Sequence, residues 1–151
     1  MTTDRIERET TIEAPVERVW ELLTEAEHLG AWFGDAGAEI DLRPGGAMAL
    51  SFEEHGTVRA RVERVEPQRL FAYRWASAMD AEPAEGASTL VEFTLEPAGD
   101  GTLLRVVESG FAALDVPAED IERRIRENTG GWEQQLRNVA EHARSEAAAR
   151  R

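Results

Sequence analysis

The side chains in this sequence that could do chemistry are one carboxylate ending an apolar alternation, a scattered set of aromatics, and three histidines. Glu108 follows Leu104 and Val106 at period two, which places all three on one side of a strand. Aimed inward, its carboxylate is a candidate acid, base or polar anchor for a ligand. The competing reading has the strand already ended and Glu108 solvated beside an arginine such as Arg61 or Arg105, because glutamate is rarely buried without a partner. Trp32, Phe52, Tyr73, Trp75, Phe93 and Trp132 come from six separate places and read either as plain core or as walls of a ligand cavity. Tyr73 and the three tryptophans among them carry an O–H or N–H that needs a partner when buried, and a ligand would supply one.

Other chemistries are weakly supported. His28, His55 and His142 lie far apart, without an H-x-H, an H-E-x-x-H or a cysteine, so surface histidines and no metal are expected. All 17 basic residues are arginine and cysteine is absent, which removes lysine Schiff bases and thiolate nucleophiles. There is no G-x-S-x-G elbow, and Pro44-Gly45-Gly46 sits between strand patterns as a hairpin turn, not a phosphate cradle. No catalytic residue and no cofactor is expected. A net charge of −13 over 151 residues disfavours nucleic acid and anionic lipid as partners. MTTDRIERETTI lacks a secretory apolar region and no 18-residue apolar run occurs, so the expectation is a cytoplasmic protein without membrane insertion, forming one domain over residues 1–151.

These groups must be positioned by strands and helices that the periodicity locates. Asp4 to Ile12 reads as an edge-like strand, and Pro15 starts a helix with Val16, Val19, Trp20 and Leu23 on one stripe. A short second helix ends near Trp32-Phe33-Gly34. Period-two alternation then runs through Ala38, Ile40 and Leu42; Met48, Leu50 and Phe52; Val58, Ala60 and Val62; Phe71, Tyr73 and Trp75; Val91, Phe93 and Leu95; and Leu104 and Val106. Ser77 to Ser88 has the composition of an exposed loop. Ile121, Ile125, Trp132, Leu136, Val139 and Ala143 recur at helical spacing from about 117 to 147, a helix of roughly 45 Å. Its outer face carries the i,i+4 pairs Glu119/Arg123, Asp120/Arg124 and Glu133/Arg137. Gly130-Gly131 inside it costs on the order of 1 kcal/mol per glycine relative to alanine. Close approach to the sheet is the expected compensation, with a hinge gating the cavity as the alternative.

Ile12-Glu13-Ala14-Pro15 with Val19-Trp20, the Trp32-Phe33 pair, Pro44-Gly45-Gly46, and Gly131-Trp132 followed by Leu136 together resemble the START-like (SRPBCC) superfamily over essentially the whole chain. Within it the pattern looks most like the heat-shock-protein-90 ATPase activator homologues. The resemblance implies an α+β helix-grip fold, β-α-α-β6-α, in which a curved antiparallel sheet of seven strands wraps one long C-terminal helix around a hydrophobic cavity. Trp32, Phe52, Tyr73, Trp75, Phe93, Val106, Glu108, Trp132 and Leu136 would then be its ligand-binding residues. The leading expectation is a carrier or sensor for a small hydrophobic or aromatic ligand, not an enzyme. The alternatives are a cyclase, dehydratase or hydrolase using a cavity carboxylate, and a stress-response co-chaperone resembling the activators. The activator's separate chaperone-engaging domain does not precede the first strand here, so a chaperone partner is not the leading expectation. A homodimer is compatible with the sequence.

Overall fold

The computed structural model describes residues 4–149, and the period-two runs appear there as one seven-stranded sheet. β1 (Arg5–Ile12) leads into α1 (Val16–Thr24) and α2 (Ala26–Trp32). A meander of six strands follows: β2 (Ala38–Ile40), β3 (Ala47–Phe52), β4 (Gly56–Glu66), β5 (Leu70–Ala76), β6 (Ser88–Ala98) and β7 (Gly101–Ser109). A 3-10 turn (Phe111–Ala113) then precedes α3 (Ala118–Ala149). The strand order is β1-β7-β6-β5-β4-β3-β2 with every neighbouring pair antiparallel, so the first strand closes against the last. This is the expected α+β helix-grip arrangement.

Alternation decides which face is buried. Thr89, Val91, Phe93 and Leu95 of β6, and Thr102, Leu104, Val106 and Glu108 of β7, all point inward. β4 slips register against β5 between Val62 and Arg64, a bulge that bends the strand and helps curve the sheet. α3 supplies the opposite wall through Trp132, Leu136, Val139 and Ala143, and rests against β1, α1 and α2.

Several expectations need correction. Leu42 lies beyond β2 and is exposed, because the chain has begun the Asp41–Gly46 turn; a Cβ on Gly46 would run into the Asp41 carbonyl oxygen. The α1 stripe is rotated toward Leu22, which is buried with Val19 and Leu23, while Trp20 is half-buried and meets Phe71 edge-on at 6.4 Å. The outer face of α3 pairs differently: Asp120 bonds Arg123, Glu133 reaches Arg8 on β1, and Arg124 turns to the Ser77 carbonyl. The histidines do not stay apart either, since His28 Nδ1 lies 2.9 Å from His142 Nε2 where α2 meets α3. Burial, and then the neighbouring His28, hold the His142 imidazolium below its ordinary range.

Close packing does not account for Gly130-Gly131. Both are exposed, and a Cβ built on either would meet nothing within 4 Å. The pair is therefore a locally weak stretch of a continuous helix, set between Asn128 and Trp132. Gly131→Ala is expected to stabilise the protein by about 0.5–1 kcal/mol, read as a higher urea midpoint at unchanged slope. A lowered midpoint would show a neighbour at that position.

Candidate functional site

The inward end of β7 buries a carboxylate. Glu108 is 1% exposed, and neither Arg61 nor Arg105 approaches it: those arginines bond Glu63 and Glu9. Its partners are neutral donors from three elements. Oε2 accepts from the Thr89 hydroxyl at 2.6 Å on β6 and the Trp75 indole N–H at 2.9 Å on β5. Oε1 accepts from the Trp132 indole N–H at 2.9 Å, and the Asn128 amide of α3 spans both oxygens at 3.0 and 3.2 Å. Burying a carboxylate is costly unless it is hydrogen-bonded, and here four donors replace its water shell.

The local sequence explains the convergence. Asn128 and Trp132 are i and i+4 on α3, so both descend on the same point of the sheet. The ladders place Val91 opposite Glu108, and Thr89 opposite Trp75, so Trp75, Thr89 and Glu108 meet on one face. Beside them lies Tyr73, fully buried, whose hydroxyl finds no partner among the described residues. Burial first, and the Glu108 charge second, push its phenol well above its ordinary range.

Next to Glu108 is a cavity of about 150 Å³. Val58, Trp75, Phe111 and Leu114 give it apolar walls, and Met79 of the loop after β5 stands at its edge. The loop is pinned there because Asp80 N–H donates to the Thr57 carbonyl at 2.7 Å. Its polar end is made by Thr89, Glu108, Asn128 and Arg124. Arg124 Nη1 donates to the Ser77 carbonyl at 2.8 Å, whereas its buried Nε–H has no partner among the described residues. Larger hollows exist, among them one of about 580 Å³ rimmed by Arg64, Glu66 and Arg69. That one is an open surface groove without a buried polar group aimed into it, so the smaller cavity is the better candidate.

The structure divides the expected site residues. Trp75 and Glu108 line the cavity, and Tyr73 and Trp132 lie directly behind them. Trp132 stacks on Trp75 at 5.4 Å and meets Phe93 edge-on at 5.7 Å; Val106 is paired opposite Phe93, and Leu136 is buried core. Trp32 is elsewhere, donating to the Leu22 carbonyl at 2.7 Å, and half-buried Phe52 shares a separate surface hollow with it. The aromatics thus fill much of the space they were expected to enclose. Phe33 is the hub of that filling, in contact with Trp32, Trp75 and Trp132. Thr89, Asn128 and Arg124 were not among the expected residues. The i,i+4 spacing of Asn128 and Trp132 was the available signal for one of them.

Sheet order, gripped helix and interior site define a START-like helix-grip protein. The chain belongs to the family described as Activator of Hsp90 ATPase homolog 1-like protein, which matches residues 13–144. Among solved structures it is similar to protein MLL2253 from Mesorhizobium loti, with 24% identity over 91% of this chain and 94% of that one, at a TM-score of 0.75. It is also similar to CalU16 from Micromonospora echinospora, with 26% identity over 96% and 79% of the two chains at a TM-score of 0.69. The Aha1 dimer from Colwellia psychrerythraea shares the fold at 18% identity, over 91% and 94% of the chains, with a TM-score of 0.69. No curated protein matches by sequence. No helix among the described residues is long and apolar enough to cross a membrane.

Tyr73 is the sole tyrosine, so phenolate absorbance reports it alone. An unfolded phenol ionises near pH 10, and the folded value lies above that. The folded state therefore keeps a proton that the unfolded state gives up, and this contribution to stability is present below about pH 10 and lost as pH rises through the folded value. Phenolate is expected to appear only together with loss of the folded circular-dichroism signal; ionisation near pH 10 in the folded protein would contradict the burial.

Proposed function

We propose that the protein binds a small apolar ligand, of monocyclic aromatic size, carrying one acceptor group such as a carboxylate. The observation that carries this reading is the cavity of about 150 Å³ whose apolar walls are joined by the polar side chains of Thr89, Asn128 and Arg124. An apolar cavity of roughly this size in another protein takes up benzene, while drug-sized ligands need about twice the volume or more. The ring would lie against Trp75, Phe111 and Leu114 and its acceptor would face Arg124 and Asn128. Carrier or sensor is favoured over catalyst because both Glu108 oxygens are already engaged by protein donors. Acid or base work would require breaking those bonds first. The co-chaperone alternative has little to stand on in exposed apolar surface: Leu42 and Met79 are the large hydrophobics exposed among the described residues. A cytoplasmic, one-domain protein remains part of the proposal, as does self-association, since the Colwellia relative is described as a dimer. Sedimentation equilibrium would give the mass.

Isothermal titration of the purified protein with benzoate, toluene and a naphthoate tests the ligand class. Benzoate is expected to bind, toluene more weakly and naphthoate not at all. Arg124→Gln should weaken benzoate at least about tenfold, the worth of a charge-assisted hydrogen bond. Equal binding of benzoate and toluene, unchanged in the variant, would remove the acceptor from the proposal; no binding of any would remove the cavity as a site.

A further inference from the structure

A second polar cluster lies toward the other end of α3, about 20 Å along the helix axis from Asn128. His142 and Glu146 are i and i+4, so their side chains leave the same face of the helix. α2 packs against that face and contributes His28, which is buried. His28 Nδ1 stands 2.9 Å from His142 Nε2 and 3.5 Å from Glu146 Oε1, and one ligating atom from each of the three residues lies within 4.8 Å of the others.

Donor atoms held at ~2.0–2.1 Å around a tetrahedral Zn²⁺ are about 3.3 Å from one another, and the two measured spacings fall on either side of that value. The surroundings also match. A ligating imidazole ordinarily turns its other ring nitrogen toward a carboxylate or carbonyl, which orients the ring. The other nitrogen of His28, Nε2, is directed toward the Glu25 carboxylate, 3.8 Å away and thus within charge contact but beyond a hydrogen bond. Glu146 is held in place by Arg18, which donates to its Oε1 at 3.1 Å while sharing its charge with Glu21 at 2.6 Å. All three candidate ligands stand on helices, which fixes where their backbones project the donors before any ion arrives.

We propose that His28 Nδ1, His142 Nε2 and a Glu146 carboxylate oxygen bind one divalent ion of the zinc class, with the fourth position left to water. Two imidazoles and one carboxylate suit Zn²⁺, Co²⁺, Ni²⁺ or Cu²⁺, and offer too few oxygens for Ca²⁺ or Mg²⁺. The ion would clamp α2 to the C-terminal half of α3, and because it binds the native state it would raise stability by mass action.

The test is calorimetric titration of the metal-stripped full chain with zinc chloride, paired with thermal melts. One equivalent of Zn²⁺ should bind and raise Tm. His142→Ala and Glu146→Gln should each weaken binding at least about tenfold, whereas His55→Ala, which removes the remaining histidine, should bind as the parent does. His142 and Glu146 are only half-buried, and circular dichroism of the metal-free variants verifies their fold. Imidazole resonances give a second readout in the unmutated protein: Zn²⁺ should shift those of His28 and His142 and leave His55 in place. Absence of binding, binding that His142→Ala leaves intact, or a shift at His55 in place of the other two would overturn the site.

Discussion

A carboxylate buried among aromatic rings is the constraint on which the interior depends. Glu108 makes no ion pair among the described residues, so its carboxylate is held by four neutral donors: Trp75, Thr89, Asn128 and Trp132. Losing one would leave a buried charge short of a partner, which costs more than an ordinary lost hydrogen bond. This explains why tryptophans stand at 75 and 132, where phenylalanine would fill similar space, and why an asparagine interrupts the face of α3. It also fixes the rotational setting of α3 on the sheet, because Asn128 and Trp132 reach Glu108 together only when one face of the helix points down.

The same knot shapes what remains for a ligand. Stacking of Trp75 on Trp132, with Phe33 and Phe93 edge-on to Trp132, occupies the space beneath the helix. A modest cavity is left at the end near Phe111 and Leu114. With Glu108 engaged, the charged side chain left lining that cavity is Arg124, on the half of α3 that precedes the exposed Gly130-Gly131 pair. The rigid knot and the weaker helical stretch beside it lie within one turn of each other. The pocket wall formed by Arg124 and Asn128 thus lies just before the glycine pair, with Asn128 tied to Glu108 and Arg124 to the Ser77 carbonyl.

Much of the fold was legible because period two and period 3.6 are imposed by burial on one face: Val58, Ala60 and Val62, or Leu136, Val139 and Ala143, announce their elements directly. The failures have specific causes. Alternation continued through Leu42 although backbone pairing had stopped, since a pattern of side chains does not record where hydrogen bonds end. Glu108 was ambiguous because a strand terminus looks the same whether its last residue is solvated or held by donors from β5, β6 and α3. The size of the cavity rested on aromatic ring orientations, which no spacing encodes. His28 and His142 are separated by nearly the whole sheet in sequence, and only the packing of α2 on α3 brings them together; the i,i+4 relation of His142 and Glu146 was the one legible part of that cluster.

The most direct test of the Glu108 knot is the ¹H–¹⁵N spectrum of the indole N–H groups in Glu108→Gln, recorded beside a urea denaturation. The amide presents its own N–H donors to groups that already donate, so a loss of roughly 1–3 kcal/mol is predicted. The four tryptophans should separate into two classes, with the Trp75 and Trp132 resonances displaced and those of Trp20 and Trp32 unmoved. Four unmoved resonances with unchanged stability would contradict the account, showing that the buried carboxylate does not hold the helix to the sheet.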